Sequence, residues 1–475
     1  MAGKNKSKNS LTKPLFSPPD SDAVGKTESR QRKDRTAVEK KDRREELEVF
    51  LPGMKLAEGE TLEVDLSAYV MLHELNAEWP CLSFDIVRDE GPEERTAFPM
   101  SGYLISGTQA DNQSKNEIYL LRYTNLHKTR VKEEENDGDD DGSSESEDSG
   151  DEQEFDKKNP RHYCIAIPHD GGVNRIRSMR GFGGDQRAFA ASWSDAGKVE
   201  LWDLTNAYQE LNAINLESPP SLVKRNNIKP VASIKRHSTE GFALAWSSIV
   251  SGRLLSGDCN GEIYFTELMN NAFNTDGGTP FKAHEGSVED LQWSPSESTV
   301  FASSSVDGTV RVWDIRMPRN QAALVTQAHP CDANVISWNR LSNYLLASGA
   351  DDGVFATWDL RSWSTDRSVQ NIPLFANSWH KQAVTSIEWN PHDASILAVS
   401  GADDQITLWD LSIIDEAQDD IVNEVYDGNN IIPKQLLFIH QGQQEVKEIH
   451  WHSQLSGVLL STALSGFNIF KTISV

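Results

Sequence analysis

Three segments of this chain bring together histidine, serine and aspartate, the residue types of a hydrolase triad. In the first segment, His284, Ser303 and Asp307 precede Trp313. Nucleophilic catalysis needs one pre-organised copy of such a trio. Here the trio recurs at similar spacing along the chain, which indicates a structural role. The recurrence therefore predicts a protein that is not an enzyme.

Other residue patterns that support chemistry are missing from the sequence. Cys81, Cys164, Cys259 and Cys331 lie far apart, and none of them belongs to a cluster at zinc-ligand spacing. The glycine-rich run 181–184 lacks the Lys-Ser/Thr of a phosphate-binding loop and is interpreted as a turn. We expect no metal and no cofactor. The sequence also shows neither a signal peptide nor a membrane span, which predicts a soluble intracellular protein with no membrane partner.

The trios are positioned by repeats of short strands. Trp-Asp pairs begin at Trp313, Trp358 and Trp409, which are 45 and 51 residues apart. Apolar residues such as Val310 and Val312 alternate within each repeat, as they do in strands. The combination resembles the WD-repeat pattern, which implies an all-β propeller.

Degenerate copies bring the number of repeats to seven. Their Trp-Asp positions are expected at Leu121-Arg122, Trp202-Asp203, Phe265-Thr266 and Phe470-Lys471. The segment 68–73 is predicted to complete the last blade from the N-terminus, with His73 at the position of the repeat histidines. We therefore expect one seven-bladed WD-repeat propeller over residues 45–475, closed by an N-terminal strand and preceded by a short helix.

In WD-repeat proteins, the histidine, aspartate, tryptophan and a strand serine or threonine form a buried hydrogen-bond network. The resemblance implies that role for His284, Ser303, Asp307, Trp313, His329, Ser348, Asp352, Trp358, His380 and Trp409. The third set is irregular, because Asp403 keeps the usual distance to Trp409 whereas Ser400 stands four residues before Asp404.

Charge is distributed unevenly along the chain. The 475 residues carry a formal charge of −26, which argues against direct sequence-specific nucleic-acid binding and favours a basic client. Residues 1–44 hold 13 basic and 6 acidic side chains and are expected to form a disordered tail. Residues 133–156 hold 14 acidic side chains and no basic one, which predicts a disordered insertion. A second acidic loop is expected within 412–433.

We expect these two acidic loops to bind the client. The residues concerned are Glu133, Glu134, Glu135, Asp137, Asp139, Asp140, Asp141, Glu145, Glu147, Asp148, Asp151, Glu152, Glu154, Asp156, Asp415, Glu416, Asp419 and Asp420. Ser144 and Ser149 each have a glutamate three positions later in an acidic context, which makes them candidate phosphorylation sites.

Two segments resemble the histone-binding, retinoblastoma-associated WD-repeat superfamily, namely 69–84 and 436–442. Within it, 81–89, 106–110 and the acidic insertion are similar to the glutamate-rich WD-repeat branch. That resemblance implies a nuclear and nucleolar chaperone for the basic large-subunit ribosomal protein L-three, which it delivers to pre-ribosomal particles. Importin is a candidate partner of the basic tail.

Two other functions remain open from the sequence. The first is a histone-binding chaperone or chromatin scaffold, although 427–433 has one proline where histone-binding members have a proline-rich loop. The second is a substrate receptor of a cullin-ring ubiquitin ligase. In that function Arg316 and Arg361, each in a Trp-Asp-x-Arg box, would dock on the adaptor.

Overall fold

The computed structural model describes residues 64–129, 159–179 and 187–475, except for 217, 270–271, 276–277, 367–368, 414–423 and 427–429. Several predicted features lie outside the described residues. These are the basic tail 1–44, the N-terminal helix, the acidic insertion 133–156 with Ser144 and Ser149, and the acidic residues Asp415, Glu416, Asp419 and Asp420.

The described residues form short strands, one α-helix and four 3-10 helices. The strands are β1 (Tyr69–Asn76), β2 (Cys81–Val87), β3 (Met100–Thr108), β4 (Glu117–Leu126), β5 (Arg161–Pro168), β6 (Val173–Met179), β7 (Phe189–Ser194), β8 (Lys198–Asp203), β9 (Ser221–Lys224), β10 (Ala232–Ile234), β11 (Ala243–Trp246), β12 (Arg253–Gly257), β13 (Glu262–Met269), β14 (Ala272–Asn274), β15 (Phe281–Lys282), β16 (Val288–Trp293), β17 (Val300–Ser305), β18 (Thr309–Asp314), β19 (Leu324–Gln327), β20 (Ala333–Trp338), β21 (Leu345–Ala350), β22 (Phe355–Asp359), β23 (Phe375–Asn377), β24 (Val384–Trp389), β25 (Ile396–Gly401), β26 (Ile406–Asp410), β27 (Glu424–Tyr426), β28 (Asn430–Ile432), β29 (Leu436–His440), β30 (Glu448–Trp451), β31 (Val458–Ala463) and β32 (Gly466–Thr472). The helix α1 is Thr205–Asn212, and the 3-10 helices are Leu66–Ala68, Gln113–Lys115, Leu360–Ser362 and Leu411–Ile413.

The strands build seven sheets, which are the blades of a propeller. From the innermost strand outward, blade 1 is β2-β3-β4-β5 with β9 added in parallel, blade 2 is β6-β7-β8-β10, blade 3 is β11-β12-β13 with β14 and β15 both paired to β13, blade 4 is β16-β17-β18-β19, blade 5 is β20-β21-β22-β23, blade 6 is β24-β25-β26-β29, and blade 7 is β30-β31-β32-β1. Strands β27 and β28 form a separate hairpin. The predicted seven-bladed fold is confirmed.

The second strand of a blade is buried on both faces, because neighbouring blades pack against it from either side. Every residue of β7, β25 and β31 is buried. Such strands therefore read as continuous runs of apolar and small residues, as in Ile396–Gly401. The period-two alternation seen in the sequence belongs to strands such as β18, where Val310 and Val312 are buried and Arg311 is half-buried.

The N-terminal strand closes the ring, as predicted. Strand β1 pairs antiparallel with β32, and Leu72 lies opposite Phe470. The prediction for His73 was wrong, because His73 lies within β1 and its Nε2 is 2.9 Å from the carbonyl of His127. In blade 1 the strand serine, Ser106, meets the thiol of Cys81 instead, at 3.6 Å.

The hydrogen bonds of blade 4 connect all four repeat residues. His284 Nδ1 lies 2.9 Å from Asp307 Oδ2, and His284 Nε2 lies 2.7 Å from Ser303 Oγ. The indole of Trp313 donates to the same Ser303 Oγ at 2.8 Å. Burial lowers the pKa of His284, so the ring is neutral near pH 7 and the network carries one charge, on Asp307.

Blades 5 and 6 vary this arrangement. In blade 5, Ser348 Oγ lies 2.7 Å from His329 Nε2 and accepts the indole N–H of Trp358. Asp352 departs from the expected set, because it is exposed and accepts the backbone N–H of Val354, with no hydrogen bond to His329.

In blade 6, a threonine takes the place of the strand serine. Thr407 Oγ1 lies 3.0 Å from His380 Nε2 and accepts the indole N–H of Trp409. Asp403 holds His380 Nδ1 at 2.9 Å. Ser400, the serine that the sequence suggested, lies 2.9 Å from Thr385.

Blade 3 shifts the expected register by one residue. Ser256 pairs with Tyr264 across the sheet, just as Ser303 pairs with Arg311 in blade 4. The position equivalent to Trp313 is therefore Thr266, and Phe265 stands one position earlier. The reason is a different hairpin, in which Asp258 comes two residues after the serine and takes the aspartate's role against His237, at 2.8 Å.

Ser303→Ala is expected to lower the free energy of unfolding by about 1–3 kcal/mol, because it leaves the buried indole of Trp313 and the ring of His284 without their shared partner. Ser304→Ala is the matched control, because Ser304 is equally buried and its hydroxyl has no hydrogen-bond partner. Urea denaturation measures both. Equal losses in the two variants would contradict a network role for Ser303.

Candidate functional site

The two faces of the ring differ in charge. The loops that enter each innermost strand and the turns between the second and third strands of each blade lie on the same face, because the strands are antiparallel. We call it the acidic face. Among the described residues, its exposed carboxylates are Glu78, Asp111, Asp170, Asp195, Glu240, Glu285, Asp332, Asp351, Asp352 and Glu445, and its exposed basic side chains are Lys115, Lys235 and Lys381.

The opposite face carries more positive charge, including both candidate adaptor-docking arginines. Arg316 and Arg361 lie at equivalent positions of blades 4 and 5, with side chains 69% and 65% exposed. Each guanidinium is paired with the aspartate two residues before it, Asp314 or Asp359. The guanidinium of Arg361 also lies 3.6 Å from the ring centroid of Tyr344. These two arginines are accessible, but their charge is largely compensated.

The innermost strands line a central channel, where each has an edge without a neighbouring strand. Side chains of the preceding blade accept the free backbone N–H groups of these edges. The acceptor and donor pairs are Ser83 and Ile176, Asp85 and Ser178, Asp290 and Ile336, Gln292 and Trp338, Ser337 and Trp389, Ser386 and Ile449, Glu388 and Trp451, and Glu448 and Phe84. Trp246 and Trp293 donate indole N–H bonds across the two remaining junctions.

Glu448 is the most highly connected carboxylate of the channel. Its Oε1 accepts hydrogen bonds from Arg175 and Arg177 of blade 2, both at 2.6 Å. Its Oε2 accepts from the hydroxyl of Ser83 and the amide of Phe84 in blade 1, both at 2.8 Å. Burial alone would raise the pKa of Glu448, but the two arginines hold it well below its usual value. Glu448 is therefore a buried anion that joins three blades.

His450 adds a positive charge between two acids. Its Nδ1 lies 3.1 Å from Glu388 Oε2, and its Nε2 lies 3.7 Å from Glu448 Oε1. Burial would lower the pKa of His450, but Glu388 and Glu448 together raise it to about 10. The ring is therefore protonated at neutral pH. Across the channel, burial raises the pKa of Asp290, which accepts the amides of Leu291 and Ile336.

Sequence reasoning missed both the channel cluster and the acidic face. The one local signal for the cluster is the pair Arg175 and Arg177, two positions apart in the otherwise largely apolar strand β6. Two arginines on the same side of an inner strand indicate a charged partner. The acids of the acidic face stand singly in separate loops, so no local charge run marks them.

The described residues provide no site for metal chemistry. Among them, no group of three or more His, Cys, Asp or Glu side chains could hold a metal ion, and the four cysteines are unpaired. No helix in the described part of the chain is long and apolar enough to span a membrane.

Comparison with known proteins gives the family. Residues 59–127 match the family described as histone-binding protein RBBP4 or a subunit of the CAF1 complex, and 278–314 and 373–410 match the WD domain, G-beta repeat. The chain is 44% identical over 428 residues to ribosome assembly protein rrb1 of Schizosaccharomyces pombe, which covers 90% of this chain and 84% of that protein.

Two further relatives are similar over nearly the whole chain. Glutamate-rich WD repeat-containing protein 1 of Dictyostelium discoideum is 44% identical over 88% of this chain and 83% of its own length. The chain belongs to the glutamate-rich WD-repeat family. Protein HEAT STRESS TOLERANT DWD 1 of Arabidopsis thaliana is 40% identical over 90% of this chain and 92% of its own length. In this member of the glutamate-rich family, the fold is a scaffold whose described polar clusters hold the ring together.

The contribution of His450 to stability is expected to fall with rising pH. Its pKa is raised from 6.5 to about 10 on folding, so the stabilisation is complete below pH 6.5 and disappears as the pH approaches 10. His450→Gln should therefore destabilise the protein most at pH 7 and least at pH 10, as measured by urea denaturation.

His452→Gln serves as the control for this pH dependence. Burial lowers the pKa of His452 to about 3, so the ring is neutral throughout this range and the cost of replacing it should stay constant. A cost of His450→Gln that does not change between pH 7 and pH 10 would show that this ring is uncharged in the folded protein.

Proposed function

We propose that this chain is a non-enzymatic assembly chaperone that binds a basic ribosomal protein and delivers it to pre-ribosomal particles of the large subunit. The relative named ribosome assembly protein rrb1, which matches 90% of the chain, supports the assembly role. The client we propose is ribosomal protein L-three, and the site of action is the nucleus and nucleolus.

The observation that carries this proposal is the charge of the acidic face. Ten exposed carboxylates stand against three exposed lysines in its described loops. At physiological salt, charges are screened over about 8 Å, so these carboxylates act on a client that contacts them. A basic ribosomal segment lying across the face would form many such contacts, whereas RNA would be repelled.

The acidic insertion 133–156 would supplement this rigid surface. Its 14 carboxylates follow β4 and precede β5, so the insertion leaves blade 1 at the face opposite the acidic face. We propose that it covers RNA-binding surfaces of the client and is displaced by ribosomal RNA. Phosphorylation of Ser144 and Ser149 would add about −1.5 to −2 charges each. The basic tail 1–44 would serve nuclear import.

Neutralising the acidic face should weaken client binding. The variant combines Glu240→Gln, Glu285→Gln, Asp332→Asn and Asp351→Asn, all exposed. Titration with purified L-three at several salt concentrations should show about 10-fold weaker binding and a smaller salt dependence.

A variant of the opposite face controls for net charge. It combines Glu90→Gln, Glu93→Gln, Glu94→Gln and Glu297→Gln, which remove the same number of exposed carboxylates. Its affinity should stay within about 2-fold of the parent. Equal weakening by both variants would mean that net charge, and not the acidic face, determines binding.

Deletion of 133–156 tests the insertion separately. We expect lower affinity for L-three, a smaller salt dependence, and more ribosomal RNA retained on the client in a competition assay. Unchanged affinity together with unchanged salt dependence would rule out a client-binding role for the insertion.

Histone binding is the second candidate, because residues 59–127 match the RBBP4 family. Adaptor docking through Arg316 and Arg361 is a third, because both side chains are accessible on neighbouring blades. A tagged pull-down from cells with mass spectrometry separates the three. A single ribosomal protein supports the chaperone, histones the second function, and a cullin adaptor the third.

A further inference from the structure

The loop that enters blade 3 is held unusually firmly where it meets the channel. We call its residues 240–242 the lip. The carbonyls of four consecutive residues, Glu240 to Ala243, each accept a hydrogen bond from elsewhere in the fold. The donors are the amide of Cys259 and the side chains of Asn174, Arg175 and Trp193, in that order.

The lip also packs too closely for any other residue at its centre. A Cβ atom on Gly241 would lie 2.2 Å from the carbonyl oxygen of Gly257 and 2.9 Å from the indole of Trp193. Both neighbours are fixed, one as backbone and the other as a fully buried side chain. The backbone of the lip therefore has one accessible position.

Glu240 projects from this fixed backbone onto the acidic face. The residue is exposed, yet its Oε2 accepts a hydrogen bond of 2.9 Å from Asn174 Nδ2. Asn174 is 4% exposed, and its own carbonyl accepts a hydrogen bond from Gln109. A buried amide thus orients a carboxylate that remains open to solvent.

Arg175 connects the lip to the closing blade. Its Nε donates to the carbonyl of Phe242 at 2.6 Å, and its Nη1 donates to Glu448 of blade 7 at 2.6 Å. Glu448 in turn holds the start of blade 1 through Ser83 and Phe84. One side chain therefore links the lip to the cluster that fastens blades 7, 1 and 2 together.

We propose that Arg175 and Glu448 are positioning residues of the client site. They fix the lip so that Glu240 meets a cationic side chain of the client in its bound orientation. Less conformational freedom is then lost on binding, which strengthens the complex and slows its dissociation. This inference rests on the proposed function, because it assumes that the client lies on the acidic face.

Arg175→Lys tests the proposal, with Arg177→Lys as its matched control. Lysine keeps the positive charge but lacks the fork that lets Arg175 contact both Phe242 and Glu448. Arg177 contacts the same oxygen of Glu448 and the start of blade 1, and has no hydrogen bond to the lip. The two variants thus differ in their effect on the lip and share their effect on charge.

Hydrogen exchange of backbone amides 239–243 is the first measurement, made without client. Arg175→Lys should raise their exchange rate about 10-fold, and Arg177→Lys should change it less than 2-fold. Glu448→Gln keeps the shape of the side chain and should also loosen the lip, which provides a second variant if Arg175→Lys does not fold. An unchanged lip in both Arg175→Lys and Glu448→Gln would overturn the proposal.

Client affinity is the second measurement. Arg175→Lys should weaken binding of L-three about 5-fold through faster dissociation, and this effect should vanish in a Glu240→Gln background. A loosened lip with unchanged affinity, or an effect that persists without the Glu240 carboxylate, would overturn the positioning role. Failure of the parent protein to bind L-three would instead refute the proposed function, while the exchange result would still stand.

Discussion

The inner edges of the seven blades set the constraint on which the rest of the structure depends. Each innermost strand faces the channel without a neighbouring strand, so its free N–H groups need other acceptors. Serine, aspartate, glutamine and glutamate side chains of the preceding blade provide them, from Ser83 at the first junction to Glu448 at the last. The ring is thus closed twice, by β1 at its rim and by side chains at its axis.

This constraint accounts for the buried charges near the axis. An isolated carboxylate at the position of Glu448 would be costly to bury, and two guanidinium groups, a hydroxyl and an amide compensate it. The same arginines reach beyond the channel wall, since Arg175 also holds the lip. Residues that close the ring therefore also shape the face that we propose binds the client, and the two roles are coupled through one side chain.

The sequence was informative where the physics is local and repeated. The spacing of His284, Asp307 and Trp313 recurs because every blade needs the same network, so the fold, the number of blades and the closing strand could be predicted. Blade 3 was displaced by one residue because its hairpin takes the aspartate from Asp258. Thr407 was missed because a threonine two residues before the tryptophan can replace a serine on the neighbouring strand.

Features that depend on long-range contacts could not be predicted in this way. Glu448 meets Phe84 across 364 residues, and no spacing along the chain relates them. The acidic face is formed from carboxylates that stand singly in loops of different blades, whereas the attention of sequence analysis falls on the dense run at 133–156. Local charge density identified one acidic region of the protein, and only the arrangement of the blades reveals the other.

The central claim, that a basic ribosomal protein binds the acidic face, is tested most directly by carboxylate footprinting. Carbodiimide labelling with mass spectrometry would compare the free protein with its complex with L-three. The account predicts that acidic-face residues such as Glu240, Glu285 and Asp332 become protected, while Glu90 and Glu297 of the opposite face stay labelled. Protection confined to the opposite face, or unchanged labelling of the acidic face in a saturated complex, would contradict it.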